Sequence, residues 1–307
     1  MPSRLWITLL AAIALIVGSV GIASAIPSDT NSRSAADATE VLGARLAAPR
    51  LRQVPTSSTT IATAASTITT TTTVPVPPHL QPGPLAMPAP TTPVTFSQTT
   101  PDLDHIVTTD KVIFLGIDDG LVRDPAVLEL LRNERVPLTL FLVRQQAMDG
   151  QEYFHELQSV GATIQAHTIN HPKLKALGWS DQAHEICGDL NDLATWYGAR
   201  PTLFRPPYGE WNETTRSAVR SCGLRALVLW RGATNDGRLD LVGGPNFHPG
   251  DILLMHFRTD LLQDLKLVFA KARTEGYRIG RLEDYLGTGP PNPMFTPVAP
   301  ALQATGH

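Results

Sequence analysis

Between Trp6 and Phe96 the chain contains no Phe, Tyr or Trp, and that gap decides where a fold can form. Aromatic rings bring the largest apolar areas to a core. A stretch without them, rich in Thr, Ser and Pro, cannot bury enough surface to offset the entropy lost on ordering. The folding unit is therefore expected over residues 106–288, roughly 180 residues and a normal size for one domain. Residues 27–105 read as a disordered linker: Thr56 to Val74 is dominated by Thr and Ser, and prolines recur from Pro75 to Pro93. Such chain is extended and partly polyproline-like, spans on the order of 50 Å, and is either a glycosylated stalk or a plain spacer. Residues 289–307 read as a disordered tail.

The first 26 residues form a third region. Leu5 to Ile26 is uncharged and mostly apolar after a single Arg at position 4, which marks an export signal. The run is long enough to span a bilayer, yet Ala23-Ser24-Ala25 matches a signal-peptidase site. Cleaved signal and membrane anchor both remain open, and membrane contact is expected only through residues 5–26 if they are uncleaved. Either way the remainder is expected outside the cytoplasm, in the cell envelope or secreted. With 25 Lys+Arg against 28 Asp+Glu and a net charge of −3, nothing in the electrostatics favours nucleic acid. Two cysteines exclude a disulfide-dense scaffold and a multi-cysteine zinc module.

From residue 111 short apolar runs alternate with helical patterns. Strands are expected at Lys111–Ile117, Pro137–Val143, Ala162–Ala166, Thr202–Phe204, Ala226–Trp230, Asp251–Met255 and Tyr277–Ile279. Helices are expected after Asp124-Pro125, then at Gln151–Val160, Ser180–Tyr197, Glu213–Ser221 and Leu261–Thr274. Repeated strand–helix units mean a mostly parallel sheet with helical crossovers, a barrel-like α/β fold. In such folds the carboxyl ends of the strands share one rim, where sites are assembled. Asp118-Asp119, His167, Arg205 and His256 each follow a different strand. Four segments sending ionisable groups to one rim are hard to reconcile with a purely structural role.

His167 and His171 lie four apart, a spacing that lets two imidazoles reach one metal ion. No Glu follows His167, so this is not the His-Glu-x-x-His of zinc peptidases, and the deaminase elements are missing too. Pro172 favours a loop or short turn there. A third ligand would come from Asp118 or Asp119, whose side chains diverge in extended chain unless Gly120 allows a sharp turn. One carboxylate would then bind metal and the other stay free as a base.

Gly116-Ile117-Asp118-Asp119-Gly120, His167-Thr168-Ile169-Asn170-His171, Arg205-Pro206-Pro207-Tyr208-Gly209 and Leu254-Met255-His256 resemble, in that order, the motifs of the polysaccharide deacetylase family (NodB homology, carbohydrate esterase family 4). The resemblance covers about residues 110–286. It implies a distorted, incomplete (β/α) barrel. It also implies that Asp119, His167 and His171 hold a divalent metal, commonly zinc. Asp118 would be the general base, His256 the general acid, and Arg205 the group that orients Asp118. The Tyr208 backbone N–H would help stabilise an oxyanion, Leu254 would line the acetyl pocket, and Pro207 and Trp230 would join the substrate contacts. Tyr208, Trp211 and Trp230 can stack on sugar rings, core packing being the other role for Trp230.

The chain departs from the family pattern in two places. Gly116-Ile117 replaces Thr-Phe. In the fourth motif Ala233 stands where an Asp tunes the acid histidine, and Gly237 replaces a Trp, with Asp236 as a possible substitute partner. Cys187 and Cys222 lie on neighbouring elements, so an exported protein would pair them in a disulfide or keep two buried thiols. The expected function is a monomeric, exported, metal-dependent hydrolase removing acetyl groups from N-acetylated envelope polysaccharide, either peptidoglycan or a chitin-like glycan. A non-catalytic glycan-binding domain and an O-acetyl esterase using the same site are the alternatives.

Overall fold

The sheet is built around one strand. Strand β2 (Val112–Asp119) is buried along its first seven residues, as befits a parallel strand covered on both faces. In the computed structural model, which describes residues 81–90 and 100–288, β3 (Leu138–Leu142) pairs parallel to β2 on one side and β9 (Ile252–His256) on the other. Beyond β3 follow β4 (Ala162–Ala166), β5 (Leu203–Phe204), β6 (Ala226–Val228) and the short β1 (Asp102–Leu103). Beyond β9 lie β7 (Gly232–Asn235) and β8 (Arg238–Leu241), and β10 (Arg278–Gly280) pairs the first residues of β2. Among the described strands only β7 and β8 pair antiparallel. The ladder ends on β1 and β8 without the two pairing, giving an incomplete (β/α) barrel.

The crossovers are α1 (Pro125–Glu134), α2 (Arg144–Asp149), α3 (Gln151–Ser159), α4 (Trp179–Cys187), α5 (Leu190–Tyr197), α6 (Glu213–Ser221) and α7 (Leu261–Glu275), with α8 (Leu282–Leu286) at the end. Helix α1 starts as its sequence dictates. The Asp124 carboxylate accepts from the Ala126 N–H, Pro125 takes the first turn, and Val127, Leu128 and Leu131 form the buried face. Alternation along β2 splits the core in two. Ile113, Leu115 and Ile117 meet the helices, whereas Val112 and Phe114 face the barrel interior with Phe141, Ile252 and Tyr285.

Three expectations needed revision. The helix over Ser180–Tyr197 is two helices, broken at Gly188-Asp189, and its N-cap is Gly178. The stretch 232–241 is a β-hairpin. Residues 81–90, read as linker, lie against the sheet. Leu85 and Ala86 are buried, and Met87 and Leu85 exchange backbone hydrogen bonds with Ile279 of β10. A free strand edge supplies backbone partners that composition does not reveal. Cys187 and Cys222 are joined in a disulfide that ties the end of α4 to the end of α6. Among the described residues no helix is long and apolar enough to cross a membrane. The apolar segment 5–26, the Thr/Ser stretch and the tail 289–307 lie outside them.

Candidate active site

Asp118 and Asp119 close β2, and the chain reverses sharply after them. Asp119 takes φ 75° and Gly120 φ 94°, left-handed backbone that costs a non-glycine residue about 1 kcal/mol. The kink cancels the divergence of extended neighbours, so both carboxylates reach one rim. Asp119 Oδ1 lies 3.6 Å from His167 Nε2 and 3.5 Å from His171 Nε2, while Asp118 Oδ2 lies 3.7 Å from His167 Nε2.

His167 follows β4 and is buried. Its Nδ1 sits 2.7 Å from the Arg205 carbonyl oxygen. A carbonyl only accepts, so Nδ1 carries a proton, and Nε2 is the ring nitrogen turned toward Asp119, presenting its lone pair there when the ring is neutral. His171 comes from a tight turn in which Thr168 (φ 74°) and His171 (φ 56°) are both left-handed. The His171 N–H donates to Thr168 Oγ1. The turn is fastened from outside by Glu185 of α4. Its carboxylate accepts from the Asn170 N–H at 2.9 Å and from Asn170 Nδ2 at 2.8 Å, and its carbonyl accepts from the Ile169 N–H. Glu185 was not legible as a site residue, because its role depends on α4 packing across the turn. Glu at helical position with Asn-His fifteen residues earlier carries no local pattern.

Arg205 follows β5 and is fully buried. Nη1 donates to Asp118 Oδ1 at 2.7 Å, Nε to the Val228 carbonyl at 3.2 Å and Nη2 to the Leu229 carbonyl at 3.4 Å. The guanidinium lies 4.3 Å from the Phe141 ring centroid. These contacts leave Asp118 Oδ2 facing the His167 side. His256 ends β9, in register with Asp118 of β2. Among the described residues no carboxylate hydrogen-bonds its ring. Asp236 sits at the hairpin tip, where its N–H donates to Asp260 Oδ2, and among the described residues its carboxylate makes no hydrogen bond or ion pair with His256.

A cavity of about 200 Å3 opens among these groups, walled by Pro206, Tyr208, Trp230 and Leu254. Pro207 is buried and does not line it. Tyr208 is exposed, holds φ 62°, and stacks edge-on against His171 at 4.7 Å. Trp230 serves as wall and as packing, its ring pressed against Gly209. Trp211 instead stacks under Arg216.

Charge follows burial and neighbours. Burial opposes ionisation of Asp119, yet the surrounding imidazoles, His167 foremost, outweigh it and hold its pKa below the ordinary value. Burial works against the His167 cation too, but Asp118 and Asp119 raise its pKa. For His171 and His256 burial prevails, and both are lowered. One oxygen is conspicuous: Asp119 Oδ1 is buried without a hydrogen-bond partner, at the point where two imidazole nitrogens converge. The three donor atoms lie within 4.8 Å of one another. Two nitrogens and one carboxylate oxygen around an unsatisfied buried acceptor fit a divalent cation.

Strand-end carboxylates, a His/His/Asp set able to hold a metal ion and a buried Arg–Asp pair gather around one cavity on an incomplete barrel. A family model described as polysaccharide deacetylase matches residues 105–227. An uncharacterized protein of Streptomyces coelicolor is 39% identical over 192 residues, covering 61% of this chain and 77% of that protein. A peptidoglycan-N-acetylglucosamine deacetylase of Bacillus cereus is 28% identical over 193 residues, covering 58% of this chain and 89% of that one. Among solved structures, a family 4 carbohydrate esterase pseudoenzyme of Bacillus anthracis superposes with TM-score 0.54 at 19% identity, over 60% of this chain and 68% of that one. That last likeness concerns the fold alone. The chain belongs to the polysaccharide deacetylase family.

Proposed function

We propose that the protein is a metal-dependent deacetylase that hydrolyses the acetamido groups of N-acetylated envelope polysaccharide, peptidoglycan or a chitin-like glycan. The observation that carries this reading is the unpartnered Asp119 Oδ1 facing His167 and His171, with Asp118 and His256 on the same cavity. Asp119, His167 and His171 would hold the ion, and two imidazoles with one carboxylate suit zinc. When bound, such an ion supplies Lewis acidity, making water nucleophilic near neutral pH and drawing charge from the amide oxygen.

The remaining steps belong to the chain's own side chains. Asp118 takes the proton of the attacking water through Oδ2, because Oδ1 is engaged by Arg205, a positioning residue. The Tyr208 backbone N–H stabilises the developing oxyanion. Leu254 and Trp230 give the acetyl methyl an apolar wall. His256 donates a proton to the departing amine, which leaves poorly without one. The Cys187–Cys222 disulfide supports an oxidising compartment. We accordingly read residues 1–26 as export signal or anchor, residues 27 to about 80 as a spacer, and the protein as exported and monomeric.

Acetate release from N- and O-acetylated glycans tests the proposal, with and without chelator, beside Asp118→Asn. Acetate should come from N-acetylated glycan, stop with chelator, return with zinc, and fall about 100-fold or more in Asp118→Asn. Release from none of the glycans under metal-replete conditions would overturn it in favour of a glycan-binding domain. A second reading rests on Ala233 and the unpartnered His256. An ester leaving group needs less protonation than an amine, so faster release from O-acetyl substrates would mark an esterase.

A further inference from the structure

Two cavities meet at Asp119 and His171, and they differ in charge. The larger, about 370 Å3, is lined on its far side by Leu121, Gln145, Gln146 and Asn170, neutral amides and apolar surface with no cation. The smaller, about 200 Å3, contains His256 and has Arg258 on its rim. The backbone at Arg258 is fixed from both sides. Its N–H donates to the His256 carbonyl at 2.8 Å, and its own carbonyl accepts from the Leu261 N–H at 3.2 Å. Buried Phe257 anchors the residue between them, its N–H donating to the Asp118 carbonyl. The end of β9 and the start of α7 thus deliver a guanidinium beside the reacting pocket.

That guanidinium has no opposite charge to pair with among the described residues. Its Nη1 donates to the neutral amide oxygen of Asn235 at 3.2 Å. The carboxylate on its own loop, Asp260, is turned to the Asp236 N–H instead. Elsewhere Arg205 is paired with Asp118, Arg144 with Asp192 and Arg216 with Asp102, whereas Arg258, among the described residues, keeps its charge unpaired at the pocket. An arginine left without an anion at the mouth of a pocket offers a planar fork suited to a carboxylate.

We propose that Arg258 binds a carboxylate carried by the substrate next to the acetamido group that enters the pocket. The preferred glycan is then an acidic one, rather than a neutral homopolymer. The carboxylate is either an ether substituent on the N-acetylhexosamine itself or a uronic acid on the neighbouring ring. With the carboxylate toward β9, the next sugar on the opposite side lies over the neutral cavity, whose amides suit hydroxyl groups. The inference rests on the deacetylase reading for what enters the pocket.

The test uses the full chain loaded with zinc and three oligosaccharides. One is a neutral N-acetylglucosamine oligomer, one carries lactyl ethers on alternate rings, and one alternates with glucuronic acid. Acetate release is compared for the native protein and Arg258→Gln, and binding is compared for Asp118→Asn with and without Arg258→Gln. The native protein should favour one of the acidic oligomers over the neutral one by about tenfold or more in kcat/KM, as one charge-assisted pair allows. Arg258→Gln should bring that ratio, and the matching binding ratio, close to one. The arm that loses its preference identifies which ring carries the carboxylate. Equal acidic-to-neutral ratios with and without Arg258 would overturn the inference. If no oligosaccharide releases acetate, the deacetylase reading fails, and the binding ratios alone decide the role of Arg258.

Discussion

A Cβ added at Gly116 would approach both terminal nitrogens of Arg205 to 2.5 Å. Those nitrogens cannot simply swing away, because Asp118, Val228, Leu229 and the Phe141 ring hold the guanidinium from every side. Glycine, where the resembled motif has Thr, is therefore the one residue that leaves Arg205 its present place. Gly116→Ala should displace Arg205 and free Asp118, lowering kcat on the order of 100-fold, as misplacement by about an ångström can. Metal content should stay normal, since none of the three ligands moves, and metal analysis beside kcat checks both halves. The second residue-scale prediction concerns His256. Burial lowers its pKa, and a general acid must carry its proton, so activity should fall as pH rises through that lowered value. Ala233→Asp places a carboxylate where the resembled motif has one. It should raise the His256 pKa and move the alkaline limb of the kcat profile upward, leaving metal affinity unchanged. Superimposable profiles would show that position 233 does not reach His256. Asp118, Asp119, His167, Arg205 and His256 were legible because each lies at or just beyond the end of a strand. The link from Gly116 to Arg205 was not, since it joins groups 89 positions apart that meet only inside the barrel (205 less 116).

At the scale of elements, the His171 turn is made by its neighbours rather than by its own sequence. Two left-handed non-glycine residues in four positions are costly alone, and Glu185 of α4 offsets that by accepting both Asn170 donors. Outer partners of this kind typically change metal affinity by about 10- to 100-fold when removed. Glu185→Ala should weaken zinc binding within that range in a chelator competition. Glu185→Gln, which keeps an acceptor, should lose less. Unchanged affinity in both would assign the clamp to packing alone. Local signals explain which elements could be read. Asp124-Pro125 announced α1, and buried runs announced β2, β3 and β9. The β7–β8 hairpin was missed although Asp236-Gly237, at φ 53° and 70°, is a turn pair suited to a two-residue hairpin. Helical periodicity continues through Gly188-Asp189, so the break between α4 and α5 is set by tertiary packing. Neither the break nor Glu185 can be derived without knowing what lies across from α4.

For the whole molecule, the boundary of the folded unit is the feature that composition misplaced. An absence of aromatics correctly denied residues 81–90 a core of their own, but they borrow one. Leu85 packs in the main cluster beside Ile279 and Tyr277, and Met87 joins the interior cluster. The Ile279 N–H donates to the Leu85 carbonyl at 2.7 Å, the Met87 N–H donates to the Ile279 carbonyl at 2.8 Å, and the Gly83 N–H donates to the Arg135 carbonyl at 2.9 Å. Burying one leucine contributes about 2 kcal/mol and each net hydrogen bond about 1 kcal/mol, against about 1 kcal/mol for each residue ordered. The gain is thus modest and depends on the few residues that touch the sheet. A chain beginning at residue 81 should melt where the full chain does. A chain beginning at residue 100 uncovers the β10 edge and should lose about 1–3 kcal/mol, lowering Tm by roughly 2–10 °C. Leu85→Ala in the full chain should reproduce most of that loss, since it empties the same site without shortening the chain. Equal melting of the full chain and all three variants would place the boundary at residue 100, just before β1, rather than at residue 81.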